Sequence, residues 1–237
     1  MGARGRDVEP ATPRRHLRAM TAPTLRLERR CWKAGERVVV GIDEVGRGAW
    51  AGPVTVAAVV PAPEHLRGVR DSKQLSRSER TVVAARVREW AVAFAVGHAS
   101  HDECDALGMT AAQRVAAHRA LAQLAEQGYE PDRVILDGNH DYLAIGDRVT
   151  TVVKGDTSVL AVAAASCVAK VARDTLMIEE ATNFPPYDFE SNVGYPAPVH
   201  KAALAGYGPS SIHRRSWIFM EALCWRGLPA PAGRLFT

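Results

Sequence analysis

Apolar positions along the chain fall into short β-branched runs and longer helical stripes. Residues 38–42 are β-branched apart from Gly41, and residues 54–60 are a second apolar run, with Gly46, Gly48, Gly52 and Pro53 as turn signals between them. That pattern predicts two buried strands joined as an antiparallel hairpin. Ser76 and Glu79 stand at capping-box spacing ahead of Val82, Val83, Val87 and Trp90, which predicts a helix over 77–90. A third strand is expected over 92–98. Thr110 and Gln113 repeat the capping spacing before Val115, Ala116, Leu121 and Leu124, a stripe stopped by Gly128. Residues 133–136 and 148–153 read as strands. Residues 158–180, built on alanine and branched aliphatics, read as one long helix ended by Pro185-Pro186.

With the first helix taken as an excursion, the order is strand, strand, strand, helix, strand, helix, strand, helix. This suits a mixed sheet flanked by helices better than a regular βαβ repeat. No stretch between Val38 and Trp225 resembles a linker, so one catalytic domain is expected over 38–225, with a helical, Gly/Pro-rich part from about 183. Residues 1–37 then form a basic, disordered extension and 226–237 a tail.

At 237 residues and 47% hydrophobic positions, the chain has apolar material for one substantial core, which excludes wholesale disorder and a fibrous repeat. The longest apolar candidate, residues 152–172, is broken by Lys154, Asp156 and Lys170, so no membrane span is expected. The N-terminus lacks the apolar stretch of a secretory signal, and a cytoplasmic location is the expectation. Cys31, Cys104, Cys167 and Cys224 form no C-x-x-C pair and read as structural. The net charge of +4 is unevenly spread: residues 1–37 hold ten Lys or Arg against four acids, whereas the other 200 hold 20 basic and 22 acidic groups. The body is thus nearly neutral, and overall basicity is weak support for a nucleic-acid partner. The arm reads as a polyanion contact, or as a disordered tail or an overextended start with Met20 as initiator.

The acids are the informative polar positions. Asp43 and Glu44 close the first strand, Asp137 follows Val134-Ile135-Leu136, and Asp156 comes three residues after Val153. Any one of these acids beside glycine could be a turn or cap. Together, acids delivered by separate strand ends can share a cleft. Two carboxylates about 4 Å apart repel by roughly 4 kcal/mol at a protein-like dielectric, so four in one pocket call for cations. Oxygen-only donors favour Mg²⁺ or Mn²⁺ over zinc, and a pair of such ions suits phosphate chemistry. Gly46-Arg47-Gly48 allows close backbone approach and offers a guanidinium, though a plain turn has the same composition. Lys73 is a candidate phosphate contact or a solvated loop residue. Ser166 and Lys170 lie four apart on the long helix, and Tyr195 sits in a rigid Gly-Tyr-Pro turn where it stacks on a sugar or base or simply joins the core.

VVVGIDEVGRGAWAGPV (38–54), DSKQLS (71–76), ILDGNHDYL (135–143), VVKGDTSV (152–159), AAASCVAKVARD (163–174), GYPAPVHKAAL (194–204) and GPSSIHRRSW (208–217) resemble, in order, bacterial ribonuclease HII. The resemblance implies a ribonuclease H-like α/β fold, a mixed five-stranded sheet flanked by helices with a helical C-terminal part. It implies Asp43, Glu44, Asp137 and Asp156 as catalytic and metal-binding carboxylates for two divalent ions, Mn²⁺ or Mg²⁺. The implied substrates are RNA:DNA hybrids and duplex DNA carrying single ribonucleotides, cut on the 5′ side to leave a 3′-hydroxyl and a 5′-phosphate. By the same resemblance, Gly46, Arg47 and Gly48 read the 2′-hydroxyl, Tyr195 packs on the deoxyribose beyond the junction, and Lys73, Ser166 and Lys170 contact phosphate or support the acids. A monomer is expected. Two departures stand out: Pro196-Ala197 replaces the family's Gly-Thr, and Trp217 stands where phenylalanine is common. The rival readings are another metal nuclease of similar fold, such as a junction resolvase, and a non-catalytic nucleic-acid-binding module.

Overall fold

In the computed structural model, residues 22–217 and 219–220 are described. The two β-branched runs form strands β1 (Val39–Val45) and β2 (Val54–Val60), paired antiparallel, with Asp43 opposite Ala57 and Glu44 opposite Val56. Strand β1 therefore runs three residues beyond the apolar stretch. Strand β3 (Ala93–Ala99) adds antiparallel to β2, whereas β4 (Arg133–Asp137) lies parallel to β1, and β5 (Val149–Val152) parallel to β4. The result is the expected mixed five-stranded sheet, ordered β3-β2-β1-β4-β5.

Helices cover both faces. On one, α3 (His101–Leu107) and α4 (Met109–Glu126) follow β3, and Ala112, Ala116, Ala120 and Leu124 pack on Val40, Ile42, Val56 and Leu136. On the other, α2 (Arg77–Trp90) and the long α6 (Leu160–Ala181) bury Val83, Val87, Leu160 and Val168 against Ala57 and Val59. The alanine content of α6 has a steric reason. At Gly41 an added Cβ would lie 2.3 Å from the Ala161 carbonyl carbon, so only small residues let the helix backbone sit this close to β1. Beyond α6, a 3₁₀ turn (Pro185–Tyr187), α7 (Phe189–Asn192) and α8 (Pro198–Tyr207) gather a separate cluster around Met177, Tyr187, Phe189 and Leu204.

Several expectations need correction. The capping box at Thr110 and Gln113 is absent: α4 begins at Met109 after Gly108, and the box belongs to Ser100 and Glu103 at the start of α3, a helix the pattern did not predict. The long helix over 158–180 appears as α6, starting two residues later because the short α5 (Gly155–Ser158) before it ends at Val159, which is extended. Between β4 and β5 the helical piece is a single 3₁₀ turn, Gly146–Arg148. Part of the supposed disordered extension is folded: α1 (Arg26–Lys33) docks on the body through buried Leu25, Glu28 and Cys31. Residues 1–21, Cys224 and the tail at 226–237 lie outside the described residues. Cys31, Cys104 and Cys167 are buried free thiols, consistent with a structural role.

Candidate active site

Strand pairing brings the acids together. Ile42 stands opposite Leu136 in the parallel β1–β4 pair, so Asp43 and Asp137 leave adjacent strands at one level. Asp156 arrives through a left-handed turn at Lys154 (φ 57°), a conformation that carries about 1 kcal/mol or more of strain in a non-glycine residue. That turn aims the Gly155 amide at Asp137 Oδ1, 2.7 Å away. Side-chain alternation sends Asp43 toward α6, where Ser166 hydrogen-bonds it, and Glu44 toward α4, where it lines a cleft of about 90 Å³ with Arg47, Gln113, Asp137, His140 and Tyr142.

The cluster is under electrostatic stress. Burial, then the nearby charges of Glu44 and Asp137, push the Asp43 carboxyl well above its usual range. Burial also raises Glu44, against the pull of Arg47 3.8 Å away, and raises Asp156 together with Asp137 and Asp71, against Lys73 at 3.8 Å. Glu44 Oε2 is buried without a hydrogen-bond partner. Among the described residues no three such side chains stand at ready-made ligating distances. The oxygen-only donors and the orphaned Glu44 oxygen fit a hard divalent ion.

The other candidates distribute around this cluster. Arg47 is half exposed and pairs with Glu44, and open space faces Gly48. Gly46 is enclosed instead: at φ 89° it donates its N–H to the Tyr195 hydroxyl (3.1 Å), and an added Cβ would fall 2.2 Å from Arg173 Nε. Tyr195 thus bridges to the glycine turn, with Lys170 5.5 Å from its ring centroid. Lys170 is already engaged, donating to Asp174 Oδ1 at 2.7 Å, whereas Lys73 is 80% exposed. Ser166 lies 3.0 Å from the Ser72 hydroxyl. Ala197 is the residue preceding α8 and offers no side-chain cap, which leaves the start of that helix to Pro198 at its first position.

Comparisons with known proteins place the chain in a family. The family model described as Ribonuclease HII matches residues 40–220. The chain is 54% identical over 196 residues to the ribonuclease HII of Streptomyces avermitilis, covering 82% of this chain and 83% of that protein. The chain belongs to the ribonuclease HII family. It is a ribonuclease H, a hydrolase acting on nucleic acid. Among solved structures, the PCNA:RNase HII complex from Archaeoglobus fulgidus aligns at TM-score 0.64 and 27% identity, covering 76% of this chain and 95% of that one. Bst-RNase HIII in complex with Mn²⁺ aligns at TM-score 0.61 and 22% identity, covering 78% and 68%, and shares the fold.

Two further groups shape this ribonuclease's site without having been singled out from the sequence. Arg173 and Arg214, both fully buried, bond main-chain carbonyls beneath the 46–53 turn. Arg173 reaches Pro53, Ala51 and Val193, and Arg214 reaches Gly52, Arg47 and Ala49, at 2.8–3.0 Å. Burial lowers both guanidinium pKa values, that of Arg173 to about 10, yet the carbonyl dipoles keep them charged at neutral pH. Behind Tyr195, the Ser210 N–H donates to His213 Nδ1 (2.9 Å), which assigns the proton to His213 Nε2, donating to His200 Nε2 (2.9 Å). His200 Nδ1–H in turn donates to the Tyr195 carbonyl (2.8 Å). The readable signal was one arginine at position 173, among the small apolar residues of α6, seven positions after Ser166.

Proposed function

We propose that this ribonuclease H cuts RNA paired to DNA and incises duplex DNA on the 5′ side of single embedded ribonucleotides, leaving a 3′-hydroxyl and a 5′-phosphate. Asp43, Glu44, Asp137 and Asp156 would hold two divalent ions, Mn²⁺ or Mg²⁺. The observation that carries this reading is the buried, mutually repelling acid group with an unpartnered Glu44 oxygen, on the cleft floor of a ribonuclease HII family member. Bound ions would supply an activated water and charge neutralisation at the scissile phosphate.

The chain's own residues supply position and discrimination. The 46–48 turn, held from below by Arg173 and Arg214, presents the open side of Gly48 and the Arg47 guanidinium toward the sugar edge. A 2′-hydroxyl is the feature that separates RNA from DNA there. Tyr195, fixed by Gly46 in front and His200 behind, offers a ring face for the neighbouring deoxyribose. Lys73 is free to turn toward phosphate, Ser166 steadies Asp43, and Lys170 acts through Asp174 and the Tyr195 ring. The protein works as a monomer in this scheme.

The deciding experiment maps products of a duplex containing one ribonucleotide on a denaturing gel, with Mg²⁺ and Mn²⁺ compared and an all-DNA duplex alongside. A single cut 5′ of the ribonucleotide, absent in EDTA and absent from the all-DNA duplex, is expected. Cleavage of the all-DNA duplex, or cleavage that persists in EDTA, overturns the reading.

A further inference from the structure

Helix α1 lies outside the residues that the family model matches, yet it is folded onto the body. Its one acid, Glu28, is turned inward: fully buried, it accepts from the Ala161 N–H at 2.8 Å near the start of α6. Its cations point the other way. Arg26, Arg29, Arg30 and Lys33 recur at the i, i+3, i+4, i+7 spacing of a single helix face and all four are exposed. Among the described residues, no carboxylate comes within ion-pair distance of any of them. The face is therefore positive, beside a body whose charges nearly balance.

Its place in the fold gives that charge a direction. Thr24, two residues before α1, pairs with Val159 in a parallel bridge, and its carbonyl accepts from Leu160 N–H. Val159 is three residues from Asp156. The basic stripe thus starts where the chain pairs with the segment that carries Asp156 and runs for about 10 Å, at 1.5 Å per helical residue. Grooves of about 340 and 660 Å³ flank it, lined by Arg26 and Arg30 with Ser158 in one and by Arg29, Lys33 and His65 in the other.

We propose that the exposed face of α1 is a second binding surface for the sugar-phosphate backbone of duplex nucleic acid, gripping the flank of the substrate without reading its sequence or sugar. This rests on the reading that a duplex enters the cleft at the acids. A row of guanidinium and ammonium groups that form no ion pair among the described residues suits a line of phosphates, each contact releasing a counterion.

The test is binding by the full chain in EDTA, where cleavage is not needed, to a labelled duplex with one ribonucleotide and to the matched all-DNA duplex, from 50 to 200 mM salt. The variant Arg26→Gln/Arg29→Gln/Arg30→Gln/Lys33→Gln should weaken both duplexes alike. It should reduce the slope of log K against log salt by about 0.9 per lost contact, hence by about 2 to 4. Arg26→Gln/Arg30→Gln, which removes no side-chain hydrogen bond among the described residues, should give about half the effect. At saturating substrate, the cleavage rate with Mn²⁺ should be unchanged. An unaltered slope in a folded variant overturns the proposal, as does an equal drop in the charge-matched control Arg67→Gln/Arg86→Gln. Should the wild type bind with the expected slope but fail to cut at the ribonucleotide, the proposed function falls and the surface stands.

Discussion

Two regions of opposite charge meet where β1 gives way to the glycine turn, and they differ in how far the fold satisfies them. Beneath residues 46–53, two buried guanidiniums without an acid in contact make six carbonyl bonds, which leave Arg214 Nη2 without a hydrogen-bond partner. Immediately before the turn, buried carboxylates crowd one another, and one Glu44 oxygen has no partner. Each guanidinium is thus held by three carbonyl dipoles and acts as framework. The anionic region is incomplete and stores an unfavourable term that a bound cation would relieve. Charge burial alone does not mark a functional site; several buried charges of one sign raising one another's pKa values do so more sharply.

The sharpest way to separate the regions is to remove one charge from each. Asp43→Asn should cut single-turnover cleavage of a ribonucleotide-containing duplex by more than about 100-fold, the upper range for groups that only support a ligand. Its thermal midpoint without divalent ions should hold or rise, because the lost charge was a repelled one. A midpoint that falls by several degrees would place Asp43 in the framework. Arg214→Met should do the reverse. Three carbonyls lose their donor, which at about 1 kcal/mol each lowers urea-derived stability by about 3 kcal/mol. Activity should then fall through KM for the ribonucleotide substrate more than through metal dependence.

A smaller effect tests the histidine pair behind Tyr195. His213 is 1% exposed, and burial, with His200 and Arg215 nearby, holds its pKa down to about 3. A histidine whose folded pKa lies below its free value is protonated first in the unfolded chain. Stability therefore drops as pH falls below about 6.5 and levels off near 3. Wild type should lose about 2 kcal/mol more than His213→Asn between pH 7 and pH 5, read from urea melts at the two pH values. Equal losses in the two proteins would remove His213 from this account.

Much of the fold was legible because its periodicities are strong. The 54–60 strand and the helix over 77–90 appear with the expected bounds, the latter sealed by Ser76 and Glu79. The misreadings share a cause: polar residues with hidden tertiary partners. The end of β1 was placed at Ile42 because a strand rarely continues into two acids, yet pairing with β2 carries it to Val45. Helix α1 reads as solvated, RLERRCWK, until Glu28 is seen buried against α6. The acids were visible as candidates because they follow apolar runs. The carbonyl-binding role of Arg173 and Arg214 was not, since it depends on a loop 120 or more positions away from each. Lys170, taken from the sequence as a phosphate or supporting contact, already has Asp174 for a partner.

The acid cluster draws on residues 43, 137 and 156, with α6 closing over it only after residue 160. On the proposed scheme, the first two-thirds of the polypeptide emerges from synthesis with its acid set still incomplete. A fragment ending before residue 156 would hold at most three of the four acids, so cleavage would also report that distant parts of the chain have come together.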